Sequence, residues 1–133
     1  MCEVIAVANQ KGGVAKTTTS VSLATIMAKD DKKILLIDFD PQGHTTKSLG
    51  FQDKSSYDLS MTDVLNSVIQ DNPIDISRLI VHSQENVDLV PSNISLAGIS
   101  NGLESVMCRE TILKRFVDLS LIHISEPTRP LYI

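Results

Sequence analysis

Asn9-Gln10-Lys11-Gly12-Gly13-Val14-Ala15-Lys16-Thr17-Thr18 decides how the rest of the chain is read. An apolar run, Val4-Ile5-Ala6-Val7-Ala8, precedes it, and a helix-like pattern begins near Lys16. Strand, glycine-rich loop and helix, in that order, is the setting of a phosphate-binding loop. Gly12 and Gly13 lack Cβ, so backbone N–H groups can turn inward onto an anion. The following helix points the positive end of its dipole at the same place. Lys16 adds a full charge for the β- and γ-phosphates. Thr17 offers Mg²⁺ a hydroxyl, the hard oxygen ligand that ion prefers. The general pattern G-x-x-x-x-G-K-[ST] is met imperfectly, because Gln10 and Ala15 occupy its two glycine positions. What fits is narrower, K-G-G-x-x-K-[ST], with a second lysine at Lys11.

Working outward, Glu3 to Ala8 reads as a fully buried strand ending at the loop. Lys16 to about Lys29 reads as a helix whose apolar stripe is Val21, Leu23, Ala24, Ile26 and Met27. Asp30-Asp31 ends it. Lys33-Ile34-Leu35-Leu36-Ile37-Asp38 is a second strand, and four consecutive aliphatics mean burial on both faces, as in a central parallel strand. The first strand, helix and second strand form a βαβ unit with a right-handed crossover. Ligands of such sheets collect beyond the carboxyl ends of the strands. Lys11–Thr18 and Asp38–Gly43 are therefore expected to converge on one site.

The later chain carries more structure than chemistry. His44 to Tyr57 reads as a short helix or an exposed loop, and His44 is given no role. Ser60-Met61-Thr62-Asp63 opens a helix with a capping-box-like start, which runs to about Gln70 before Asn72-Pro73. Leu79–His82 and Val87–Pro91 read as short strands. Ser92 or Asn93 caps a helix to about Met107 that Gly98 and Gly102 could interrupt, and Arg109 to about Asp118 is helical again.

Composition agrees with an α/β domain of parallel type. At 133 residues one domain is the ceiling. Hydrophobic content is 42% and aromatic content 4%, so the core is aliphatic. A net charge of −4 gives no global attraction to nucleic acid. Cys2 and Cys108 form neither a metal knuckle nor a disulfide framework, and suit a reducing cytoplasm. No apolar run approaches the ~18 residues of a membrane span, and Glu3 and Gly12-Gly13 interrupt any signal-peptide core.

K-G-G-x-x-K-[ST] resembles the deviant Walker A ATPases, the group of ParA/Soj partition proteins, MinD and nitrogenase iron protein. Asp38-Phe39-Asp40-Pro41-Gln42-Gly43 resembles the D-x-D-P-Q-G segment of the ParA/Soj branch, and Asp88 to Leu96 its D-L-x-P-x-N-x-x-L segment. The resemblance covers about residues 1–118. It implies a parallel-sheet P-loop NTPase fold, present as its N-terminal half, with ATP and Mg²⁺ as cofactors. It further implies that the backbone from Gly12 through Gly13, Val14 and Ala15 to Lys16 holds phosphates, with Thr18 at the α-phosphate. Thr17 binds Mg²⁺, Asp38 reaches the metal shell through water, and Asp40 positions the attacking water. Lys11 is the signature lysine that acts across a nucleotide-sandwiched homodimer. The family pattern leaves the Ala15 position open, so its methyl is read as tolerated.

By the same resemblance the parent protein hydrolyses ATP in chromosome or plasmid partition. A ParB-like partner stimulates it, the dimer binds DNA non-specifically through a C-terminal half absent from this chain, and it is cytoplasmic and nucleoid-associated. No run of four aliphatics followed by Asp, the Walker B strand of the family, occurs after Gly43. The rival readings are a MinD-like ATPase recruited to membranes, a nucleotide-gated regulator, and a fragment that hydrolyses nothing. Pro41-Gln42-Gly43 argues against the MinD branch. Finally, Leu119 to Arg129 resembles the in-frame translation of a transposase-type sequencing-library adapter. Residues 119–133 are therefore read as a non-native tail and 1–118 as the domain. Native codons running through Leu119 in the parent gene would refute this.

Overall fold

The computed structural model describes residues 3–103, 111–112, 114–118 and 130–132. Its centre is β1 (Lys33–Ile37), in which Ile34, Leu35 and Leu36 are almost wholly buried. Parallel neighbours flank it, β3 (Asp88–Val90) on one side and β4 (Pro130–Tyr132) on the other. β2 (Val81–His82) closes the β3 edge antiparallel, giving the order β2-β3-β1-β4. The aliphatic run thus forms the central parallel strand expected of it. β4 lies inside the stretch read above as a tail, and the rest of that stretch lies outside the described residues apart from 130–132.

Strand periodicity divides the core in two. Ile34 and Leu36 face one side with Leu89, against Ala24 and Ala28 of α1 (Lys16–Lys29). Leu35 and Val90 face the other, against α3 (Met61–Gln70), Leu96 of α5 (Ser95–Leu103), Ile112 and Phe116. Register pairs Leu35 with Asp88, Leu36 with Leu89 and Ile37 with Val90, so both strands end at the same level.

Three helix starts have a side-chain cause. Ser60 N–H donates to Asp63 Oδ2 at 2.8 Å, the reciprocal half of the capping box, and α3 begins there. Asp71 ends it in the left-handed region at φ 53. Asp75 accepts the Ser77 N–H at 2.9 Å and starts the single turn α4 (Ile76–Leu79), so Leu79 is helical rather than part of β2. Asn93 Oδ1 accepts the Ser95 N–H at 3.0 Å at the start of α5, which runs unbroken across Gly98 and Gly102. Its expected continuation to Met107 lies outside the described residues. Residues 112 and 114–118 are helical, as read.

Two further expectations are corrected. Glu3 to Ala8 is not a buried strand: Val4 makes an isolated bridge, and the segment is exposed or half-buried. A strand exists only by pairing, and on that side β1 pairs with β4 through Lys33–Leu35. The βαβ unit is therefore reduced to its helix and second strand. The stripe of α1 holds at Val21, Leu23, Ala24 and Met27, which pack on the core, and fails at one position. Ile26 is 60% exposed, and Ala28, four residues from Ala24 on one face, is the buried residue the stripe left out. Among the described residues no helix is long and apolar enough to cross a membrane.

This core assignment makes a paired prediction. Leu36→Ala empties a site between α1 and the sheet and is expected to lower unfolding free energy by about 3 kcal/mol. Ile26→Ala is expected to change it by less than about 0.5 kcal/mol. Urea unfolding of both variants checks this, and equal losses would contradict the assigned packing.

Candidate functional site

The loop before α1 owes its shape to two left-handed residues. Gly13 takes φ 71 at no steric cost, but Ala15 takes φ 60, ψ 28 as the residue preceding α1. Ala15 thus occupies the place where the general pattern has glycine, and its backbone adopts the conformation glycine favours. For an L-residue that conformation costs roughly 1–2 kcal/mol. Lys11 N–H donates to Asn9 Oδ1 at 2.9 Å, and Lys16 Nζ donates to the Lys11 carbonyl at 3.0 Å, closing the bend on itself. Lys11, Gly12, Gly13, Val14, Ala15 and Thr18 are exposed, and no atom lies within 4 Å of where a Cβ on Gly12 or Gly13 would sit. The bend has room beside it for a ligand to approach the main chain.

Beyond β1 the chain makes a tight acidic loop. Asp38 N–H donates to the Val90 carbonyl at 3.1 Å, carrying the sheet pairing one residue past the strand. The Asp38 carboxylate is 3% exposed and gathers three donors. Oδ1 accepts the Asp40 N–H at 3.1 Å, and Oδ2 accepts the Thr46 N–H at 2.9 Å and the Thr46 hydroxyl at 2.6 Å. A carboxylate has about four acceptor positions, so most of its capacity is used internally. Burial pushes the Asp38 carboxyl above its ordinary range, while the bonds from Thr46 and the Asp40 amide pull the other way. Asp40 is half-buried, and its Oδ1 accepts the Gln42 N–H at 2.9 Å. Gly43, at φ 61, leads into α2 (His44–Ser48).

A cavity of about 580 Å³ lies between these two stretches. Lys16, Thr17 and Ser20 line one wall, and Leu36 to Pro41 with Thr45 line the other. Val4 to Asn9 contribute a further apolar wall, the segment that the sheet does not take in. The expected convergence is thus met by Lys16 and Thr17 with Asp38 and Asp40. Lys11, Gly12, Gly13, Val14, Ala15 and Thr18 are not among the residues that line the cavity. Among the described residues no group of three or more His, Cys, Asp or Glu could hold a metal ion. The oxygen donors present, the Thr17 hydroxyl and the Asp38 and Asp40 carboxylates, suit Mg²⁺, which keeps much of its water and borrows phosphate oxygens.

Sequence reasoning missed Thr46 and Ser92. Both are 2% exposed, and the Thr46 hydroxyl accepts the Ser92 N–H at 3.0 Å while donating to Asp38. A polar segment gives no periodic sign that one of its threonines is buried. His44 is exposed.

Fold and bend together define a P-loop nucleotide-binding domain, and comparison with known proteins gives the same answer. A family model described as an AAA domain matches residues 2–121. The sporulation initiation inhibitor protein Soj of Bacillus subtilis (strain 168) is 42% identical over 118 residues, covering 89% of this chain and 45% of that protein. The chromosome-partitioning ATPase Soj of Thermus thermophilus is 37% identical over 128 residues, covering 96% of this chain and 47% of that one. Cobyrinic acid a,c-diamide synthase from Mycobacterium smegmatis, solved with an ATP analogue and magnesium, superposes with a TM-score of 0.82 at 37% identity. That superposition covers 100% of this chain and 50% of the synthase. The chain belongs to the AAA-domain family, on its ParA/Soj side, and spans about half the length of these relatives.

The strained Ala15 gives a direct test of the loop geometry. Ala15→Gly removes the left-handed strain but frees the unfolded chain, which returns about 0.4–1 kcal/mol. The expected net gain is about 0.5–1 kcal/mol, read as a higher urea midpoint. A lower midpoint would contradict the backbone assigned to this residue.

Proposed function

We propose that the complete protein is a ParA/Soj-type ATPase. The observation that carries this reading is the shared cavity, in which Lys16 and Thr17 face Asp38 and Asp40. Phosphoryl transfer asks a protein for positioning and charge stabilisation more than for covalent chemistry. The amides from Gly12 to Lys16 bind phosphate oxygens, and the Lys16 ammonium leaves the Lys11 carbonyl to meet them. Thr17 provides a metal ligand, Thr18 contacts the α-phosphate, and Asp38 reaches the metal through water. Bound Mg²⁺ supplies charge neutralisation on the transferring phosphoryl group. Asp40 holds the attacking water through its carboxylate.

Lys11 is exposed and does not line the cavity. That placement supports a role in a second subunit, in which nucleotide binding brings two copies together and each Lys11 serves the partner's phosphates. In this reading the dimer acts in chromosome or plasmid partition in the cytoplasm, on non-specific DNA and under a ParB-like stimulator. The synthase relative is named for a different activity and is similar over half its length. Asp38-Phe39-Asp40-Pro41-Gln42-Gly43 and the two Soj relatives favour partition.

Lys16→Ala in the complete protein is expected to abolish ATP binding. Asp40→Ala is expected to keep binding while lowering turnover at least 100-fold, the order seen when a positioned catalytic group is lost. Calorimetric binding with phosphate-release kinetics checks both. Full ATP affinity in Lys16→Ala, or full turnover in Asp40→Ala, would overturn the assignment.

A further inference from the structure

We propose that Thr46 is a positioning residue for Asp40, the middle of a buried clamp that fixes the acidic loop against the end of β3. This rests on the ATPase reading above and assigns a further residue to the same site.

The geometry runs through three links. The Asp40 backbone is held by its N–H bond to Asp38 Oδ1 at 3.1 Å. The Asp38 carboxylate is held in turn by the Thr46 amide at 2.9 Å and hydroxyl at 2.6 Å. The same hydroxyl accepts the Ser92 N–H at 3.0 Å, so it donates on one side and accepts on the other. Serine and threonine can do both at once with one atom, and valine can do neither. The link to Ser92 is through main chain; the Ser92 hydroxyl itself is buried without a partner among the described residues.

A second contact meets the same residue independently. A Cβ placed on Gly43 would sit 2.8 Å from the Ser92 carbonyl oxygen, closer than real Cβ atoms come to backbone. The loop therefore leans on Ser92 at Gly43 and is tied to it at Thr46. Ser92 is anchored by its surroundings: the neighbouring Pro91 carbonyl accepts the Met61 N–H at 2.8 Å, and Asn93 Nδ2 donates to Ser60 Oγ at 3.2 Å. The clamp thus connects Asp40 to the starts of α3 and α5. Removing the Thr46 hydroxyl strips a donor from a buried carboxylate and an acceptor from a buried amide. The predicted consequence is a loop that holds Asp40 less well, with the phosphate-binding bend untouched.

The test uses the complete protein. Thr46→Val is expected to lower kcat about 10-fold with the KM for ATP within twofold of wild type, and Thr46→Ser to recover kcat to within threefold. In the same proteins without nucleotide, NMR amide exchange at Asp40 is expected to quicken at least 10-fold in Thr46→Val and not in Thr46→Ser. Gly43→Ala, which pushes the loop off the Ser92 carbonyl but keeps the hydroxyl, is expected to lower kcat selectively as well; it decides the matter if Thr46→Val does not fold. Unchanged kcat and Asp40 exchange in Thr46→Val, a Thr46→Ser variant as impaired as Thr46→Val, or unchanged kcat in Gly43→Ala would overturn the proposal. A wild-type protein without ATP turnover sinks the ATPase reading instead, and the exchange measurements then still decide the clamp.

Discussion

Parallel pairing of β1 with β3 is the constraint on which the rest of the molecule depends. Parallel strands send their carboxyl ends to one rim, and the register makes Ile37 and Val90 end together. Lys16, Thr17, Asp38 and Asp40 line the cavity there. Asp38 continues the ladder by one bond to Val90, the acidic loop follows at once, and Pro91 to Asn93 follow β3. Because α1 packs on β1 through Ala24 and Ala28, small residues that let helix and sheet approach closely, the helix start arrives at the same rim. The cavity between them follows from two packing contacts and one strand pairing.

Charge at that rim is mixed, and its balance has chemical sense. Two ammonium groups, Lys11 and Lys16, flank an exposed bend, while Asp38 and Asp40 sit across the cavity or beneath it. A polyphosphate is attracted to the first pair and repelled by the second, unless a cation or a water stands between. Internal hydrogen bonds engage most of the acceptor positions of the buried Asp38, which leaves Asp40, half-buried and less engaged, as the more accessible of the two acids. Lys16 meanwhile donates to a main-chain carbonyl, a bond that a phosphate oxygen can replace with a stronger, charge-assisted one.

Much of this was legible in the residues because its causes are local. Four aliphatics before Asp38 require two covered faces, and Ser60 with Asp63 announces a helix start. Lys11-Gly12-Gly13 followed by Lys16-Thr17 has little use except at a phosphate. What could not be read depends on partners. Val4 to Ala8 has the composition of a strand, but a strand also needs a neighbour, and on that side of β1 the pairing is with β4. Ile26 fits a helical stripe, yet the smaller Ala24 and Ala28 set which face meets the sheet. Thr46 and Ser92 look like solvent-facing residues until Asp38, eight residues before Thr46, turns out to need a donor in the interior.

The core of this account is that the bend at Lys11–Thr17 and the acidic loop at Asp38–Gly43 grip opposite sides of one Mg²⁺-nucleotide. A crystal structure of the complete protein with a non-hydrolysable ATP analogue and Mn²⁺, phased to show the manganese anomalous signal, tests it most directly. The account predicts a single manganese peak beside the Thr17 hydroxyl, with phosphates on the Gly12–Lys16 amides and Asp40 facing the terminal phosphate. Manganese and phosphates bound elsewhere, with the Lys16 ammonium still on the Lys11 carbonyl, would contradict it.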